Sequence, residues 1–213
     1  YRQPVWNYRQ EDGAPVSDLQ CPARIFLARH GEAEYESELL RDQGGSLTRR
    51  GREQARTLGE SLRGERIAHV CASTLARAVQ TAELAAGVLG VEVTVREGLH
   101  EFVVGDHVGS RADETPFDPV FDRWVAGDLT AGIPGGETGE EIAARVLRVL
   151  EDMADRHRGE SVLVVSHGCA IFTALGVIAP GSARSIELPS CASYLLERDA
   201  DGWRVTPWDV DHA

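Results

Sequence analysis

Two histidines sit in nearly the same local sequence. His30 follows the apolar run Ile25-Phe26-Leu27-Ala28 and Arg29, and precedes Gly31; His167 follows Val162-Leu163-Val164-Val165 and Ser166, and precedes Gly168. A short continuous apolar run reads as a buried strand, so each histidine is expected where a strand enters a turn. One histidine at a strand end is commonly structural; two with matching neighbours describe a site. The glycine after each lets the backbone approach a ligand closely. A third polar cluster, Ser73 through Arg77, follows the apolar segment Ala68 to Ala72 in the same way. A neutral imidazole is a competent nucleophile near pH 7, and flanking cations favour that neutral form. Arg29 and Arg77 add paired N–H donors that match the oxygens of a phosphoryl group. The chemistry offered is a nucleophile inside an anion site.

The elements that must position these groups alternate along the chain. After the first strand, Thr48 is placed to cap a helix with Ala55, Leu58 and Leu62 on its inner face. Ser73 is placed to cap the helix after the second strand, which is expected to bury Leu75, Val79 and Leu84, and Val91 to Val95 alternates like a strand. Thr138 and Glu141 form a capping-box pattern ahead of a long helix carrying Ile142, Val146, Val149 and Met153. Late strands are expected around Ile186, Tyr194 to Leu196, and Trp203 to Val205. This order predicts a three-layer α/β/α sandwich with a mostly parallel central sheet. Residues 1–23 read as an irregular N-terminal arm, with Trp6 and Tyr8 as anchors, and 24–213 as a single domain. Within it, 102–134 reads as an insertion over the active site, with one helical segment around Phe117 to Val125. In open α/β sheets ligands bind at the carboxyl ends of the strands, where all three polar clusters fall.

Composition narrows the partners. The 213 residues are 42% hydrophobic and 26% charged, with a net charge of −12. That balance is globular, and its sign argues against nucleic acid or an anionic membrane surface as partner. No run reaches the length needed to span a bilayer, and no secretory signal is visible, so a cytoplasmic protein with reduced thiols is expected. All 22 basic residues are arginine, so an anion site must use arginine, histidine and backbone N–H groups. The four cysteines lack C-x-x-C spacing, and no His/Cys/Asp cluster has metal-ligand spacing, so neither metal nor cofactor is implied. Oligomeric state is left open.

Taken in order, the motifs resemble the histidine phosphatase (phosphoglycerate mutase-like) superfamily. Arg29-His30-Gly31 matches its hallmark, and Leu47, Thr48, Gly51, Gln54 and Ala55 its following helix. Ser73, Leu75, Arg77, Ala78, Gln80 and Thr81 match the next motif; Leu99, Glu101, Gly105 and Gly109 resemble the acidic loop. Gly135-Gly136-Glu137-Thr138 and Ser166-His167-Gly168 complete the set. The resemblance implies the superfamily's fold and a metal-independent phosphatase with a transient phosphohistidine on His30. It implies a phosphate pocket of Arg29, His30, Arg77 and His167, with His167 donating to the phosphoryl oxygens. Glu101 is then the general acid, which calls for a carboxyl that keeps its proton in a partly dry, crowded site.

Departures from the pattern bear on the substrate, a small phosphorylated metabolite. Glu36 stands six residues after His30, where the family often has an asparagine, and His107 stands where an aromatic is common. His100, Ser110, Arg111 and Arg123 are candidates for contact with the substrate's non-reacting part, and Glu137 for tying loops near the site. Hydrolysis of a phosphomonoester is the leading expectation. A phosphomutase and a non-catalytic phospholigand-binding protein are the alternatives.

Overall fold

The computed structural model describes residues 21–208 except 115–116, 183–185, 187 and 200, together with the residue pairs 8–9 and 15–16. Six strands form the main sheet: β1 (Arg24–Arg29), β2 (Ile67–Ser73), β3 (Val93–Arg96), β4 (Ser161–Ser166), β5 (Ser193–Asp199) and β6 (Gly202–Trp208). Their spatial order is β6-β5-β1-β4-β2-β3, with β1, β4, β2 and β3 parallel and the two-strand hairpin β5–β6 antiparallel at one edge. The helices are α1 (Arg49–Ser61), α2 (Ala76–Leu89), α3 (Asp118–Val125), α4 (Gly139–Arg156) and α5 (Gly168–Ile178). The expected mostly parallel α/β/α sandwich is the observed architecture.

The apolar runs are continuous because both sheet faces are covered. Ile25, Leu27, Val162 and Val164 point into a core shared with α4 and α5. Phe26, Ala28, Leu163 and Val165 point the other way, against α1 and α2. Thr48 caps α1 by accepting the Gly51 N–H at 2.9 Å, and the Thr138–Glu141 capping box opens α4. Such a cap contributes about 1 kcal/mol to helix stability.

Several local expectations are corrected. Ser73 does not cap α2; it ends β2, and Leu75 is the cap residue. The inner face of α2 is Ala78, Ala82, Ala85 and Ala86, while Val79 and Leu84 are only half-buried. Small residues are required there because α1 lies very close: a Cβ on Gly59 would sit 2.9 Å from the Ala85 carbonyl oxygen. Ile186 lies in a bend rather than a strand. Most of the N-terminal arm, Trp6 included, is outside the described residues; within it Tyr8–Arg9 and Pro15–Val16 pair as a short antiparallel ladder.

Candidate active site

Sheet register alone brings the two histidines together. Arg29 is aligned with Ser166 across the β1–β4 pair, so His30 and His167 leave adjacent strands at the same level. The His30 N–H donates to the Ser166 carbonyl at 3.0 Å, and the two imidazole centroids are 5.1 Å apart. Ala72 is aligned with Val165 on the other side, which carries the start of α2 and Arg77 to the same edge. Both histidines and Arg77 are buried, His167 completely.

The hydrogen bonds fix the tautomer of His30. Its Nδ1 lies 2.7 Å from the Gly31 carbonyl oxygen, which can only accept, so Nδ1 carries the proton. Nε2 is left with a lone pair, toward which Arg77 Nε–H donates at 3.2 Å. Arg77 also donates to the Gly44 carbonyl at 2.8 Å, and its guanidinium lies 5.5 Å from the Tyr35 ring centroid. Burial pushes the His30 pKa down to about 3; the Gly31 hydrogen bond opposes this, and the charges of Arg77 and Arg29 reinforce it. His167 is driven well below the ordinary histidine value, again by burial first and then by Arg77 and His30. Both rings are therefore neutral near pH 7.

The remaining donors are held but not saturated. His167 Nε2 is 2.8 Å from Ser73 Oγ, while its Nδ1 has no partner among the described residues. Arg29 donates to the Leu188 carbonyl, leaving its buried Nε similarly unpartnered. A buried polar atom without a partner is costly; a phosphoryl oxygen would satisfy Arg29 Nε–H and, in the tautomer protonated at that atom, His167 Nδ1. Below them the turn is pinned: the Gly31 N–H donates to Thr81 Oγ1 at 3.0 Å and the Glu32 N–H to Gln54 Oε1 at 2.8 Å. Gly51 must be glycine, since a Cβ there would lie 1.9 Å from the Glu32 carbonyl oxygen.

Glu101 lies at the N-terminus of α5. Its two carboxylate oxygens accept the N–H groups of Phe102 and Ala170 at 3.1 Å and of Cys169 at 3.2 Å. The carboxylate meets backbone donors and the positive end of a helix dipole. Its loop is held by a residue that sequence reading missed. Arg145 on α4 pairs with both oxygens of Glu137 and donates to the carbonyls of Gly98, His100 and Glu101 at 2.9, 2.6 and 3.1 Å. Glu137 thus ties loops together through Arg145.

A cavity of about 840 Å³ opens from Arg29, His30, Arg77 and Glu101. Glu36 lines it; its carboxylate accepts its own backbone N–H and, at 3.2 Å, the Gly45 N–H, and these bonds, the first the larger, lower its pKa. Arg41, not singled out from the sequence, also lines it. His100 instead lines a neighbouring cavity of about 450 Å³ beyond the 42–44 segment. Ser110, Arg111 and Arg123 line neither. Arg111 pairs with Glu38 and Asp113, and Arg123 with Asp128. The Ser110 carbonyl accepts the Leu40 N–H, joining two segments of the wall.

A buried neutral imidazole whose Nε2 lone pair faces Arg77, a second arginine and a carboxylate meet at one strand edge, an arrangement able to hold a phosphoryl group beside a nucleophile. The chain belongs to the histidine phosphatase superfamily (branch 1), whose family model matches residues 25–211. It is 33% identical over 205 residues to a probable phosphoglycerate mutase GpmB of Enterobacter sp. (strain 638), covering 89% of this chain and 92% of the relative. Bacillus stearothermophilus YhfR superposes with a TM-score of 0.71 at 29% identity, over 87% of this chain and 96% of that one. A phosphoserine phosphatase mutant from Entamoeba histolytica, solved with phosphoserine, gives a TM-score of 0.72 at 21% identity, over 89% and 98% of the two chains. No helix among the described residues is long and apolar enough to cross a membrane.

Proposed function

We propose that this protein is a phosphomonoesterase that works through a phosphohistidine on His30. The observation that carries the reading is the His30 tautomer, with Nδ1–H held by Gly31 and the Nε2 lone pair left beside Arg77. In the first step Nε2 attacks phosphorus and the bond to the alcohol oxygen breaks. Glu101 must be protonated for this step, a form that the negative charge of the incoming phosphate favours against the backbone donors, and it gives that proton to the departing oxygen. Arg29, Arg77 and His167 Nδ1 hold the phosphoryl oxygens as charge redistributes. In the second step Glu101, now a carboxylate, takes a proton from water. The water oxygen bonds to phosphorus, the P–N bond breaks, and its electron pair returns to Nε2, releasing inorganic phosphate. The two arginines supply the positive charge that a metal supplies in other phosphatases, so the reaction is expected to proceed without one.

Rapid denaturation during turnover of a phosphate-labelled ester should trap an acid-labile, base-stable adduct on His30. Activity should survive exhaustive chelation. A fully active His30→Ala protein, or activity restored only by a divalent metal, would overturn the mechanism.

The mutase-named relatives favour a second reading, in which the phosphoryl group returns to another substrate oxygen. A mutase must retain a substrate bearing a second anion and keep water from its phosphoenzyme. Here Glu36 brings negative charge to the cavity wall, while Arg111 and Arg123 are paired with acidic residues elsewhere. Product partitioning with phosphoglycerates, with and without a bisphosphorylated primer, separates the two. Interconversion outrunning phosphate release tenfold would replace the phosphatase with the mutase.

A further inference from the structure

We infer that the preferred substrate is a phosphomonoester whose alcohol carries an apolar or aromatic body and no second anionic group. The inference rests on the phosphatase reading above and concerns the wall that receives the alcohol.

The cavity has room for far more than a three-carbon ester. Its volume of about 840 Å³ lies within the roughly 300–1,000 Å³ that encloses drug-sized ligands. Its lining is also unusual for this surface. Six large hydrophobic residues are exposed among the described residues, and three of them, Tyr35 (58%), Leu39 (41%) and Val108 (59%), line this one cavity. Val95, Val125 and Val177 line neither cavity. Scattered exposed valines need no explanation, whereas apolar side chains gathered at one mouth mark a binding surface.

That surface is built rather than loose. Phe102, also on the wall, packs edge-on against Phe117 and Phe121 at 5.3 and 5.5 Å between ring centroids. Three backbone hydrogen bonds stitch the segment bearing Leu39 to the one bearing Val108, and a fourth tightens the Val108 turn. The Leu40 N–H donates to Ser110, Gly109 to Leu40, Ala112 to Glu38, and Val108 to Gly105 within its own turn. Because His30 and Arg77 line the same cavity, an ester seated on them must lay its alcohol along this wall. Charge then decides what else the alcohol carries. Glu38 is paired with Arg111, leaving Glu36 and Asp42 against Arg41. A second anion would meet a wall carrying net negative charge.

The test is kcat/KM for phosphate release from ethyl, hexyl and phenethyl phosphates and from phosphoglycerate. The three simple esters have comparably poor leaving groups, so they differ mainly in the body they present. Hexyl and phenethyl phosphates are expected to exceed ethyl phosphate and phosphoglycerate by at least tenfold. Val108→Asp, a change at an exposed position, should lower the hexyl-to-ethyl ratio at least fivefold. A flat series overturns the inference. So does a preference for phosphoglycerate that Arg41→Ala abolishes. If no ester releases phosphate, p-nitrophenyl phosphate included, the phosphatase reading fails on its own. Calorimetric binding of hexyl against ethyl phosphate then decides the wall: a tenfold tighter Kd for hexyl supports it, and equal values overturn it.

Discussion

If burial keeps His30 neutral, acid must destabilise the fold by a calculable amount. In the folded protein the His30 pKa is lowered from 6.5 to about 3. In the unfolded chain the ring is free to protonate at its ordinary value. Between those two values the unfolded state binds a proton that the folded state refuses, so stability falls as pH falls from 6.5 toward 3. Above 6.5 the contribution vanishes. Between about pH 7.5 and about pH 5 the loss assigned to His30 is roughly 2 kcal/mol, from about 1.4 kcal/mol per pH unit below the unfolded pKa. His167 acts in the same direction, for the same reason. Carboxylates titrate in this range as well, so the informative quantity is a difference between proteins. Urea denaturation of the wild type and His30→Asn, followed by circular dichroism at a series of pH values, should give curves that converge toward acid. The wild type should lose about 2 kcal/mol more than the variant over that interval. Parallel curves would mean that His30 accepts a proton inside the folded protein. The desolvated, neutral nucleophile would then be the wrong description of the site.

Two further substitutions separate chemistry from positioning. Glu101→Gln should slow phosphorylation by alkyl phosphates by about 10²-fold or more, and by an aryl phosphate with a stable phenolate much less; equal losses would make Glu101 structural. Arg145→Ala removes the bidentate partner of Glu137 and the donors to three carbonyls of the Gly98–Glu101 loop. It should lower kcat for alkyl phosphates by about 10–10²-fold with a smaller aryl effect, because a misplaced acid costs most where protonation matters. If KM alone moved, the loop would be serving binding instead.

What the sequence made legible follows from where its constraints are local. The strands ending at Arg29 and Ser166 were readable because both faces of a central parallel strand are buried, which leaves an unbroken apolar run. Once two such runs end in histidine, register does the rest, since aligning Arg29 with Ser166 necessarily places His30 beside His167. The α4 capping box was readable for the same reason, its partners lying three residues apart. The inner face of α2 was not. Helical spacing pointed to Val79 and Leu84, but the closeness of α1 is a tertiary fact, and only alanine fits against Gly59. Side chains whose partners are distant in sequence were the least accessible. Arg145 reaches carbonyls 44 to 47 residues away, and nothing in its own helix distinguishes it from an exposed arginine such as Arg148. Arg111 and Arg123 looked equally available as substrate contacts, yet acidic neighbours engage both. The apolar mouth escaped notice because Tyr35, Leu39 and Val108 come from separate segments, none hydrophobic enough to stand out. They become one surface only when the Leu39 and Val108 segments are stitched together at the edge where His30 emerges. The proposed reacting centre is therefore written in short motifs at strand ends, whereas the surface proposed to receive the alcohol is written in the pairing of loops.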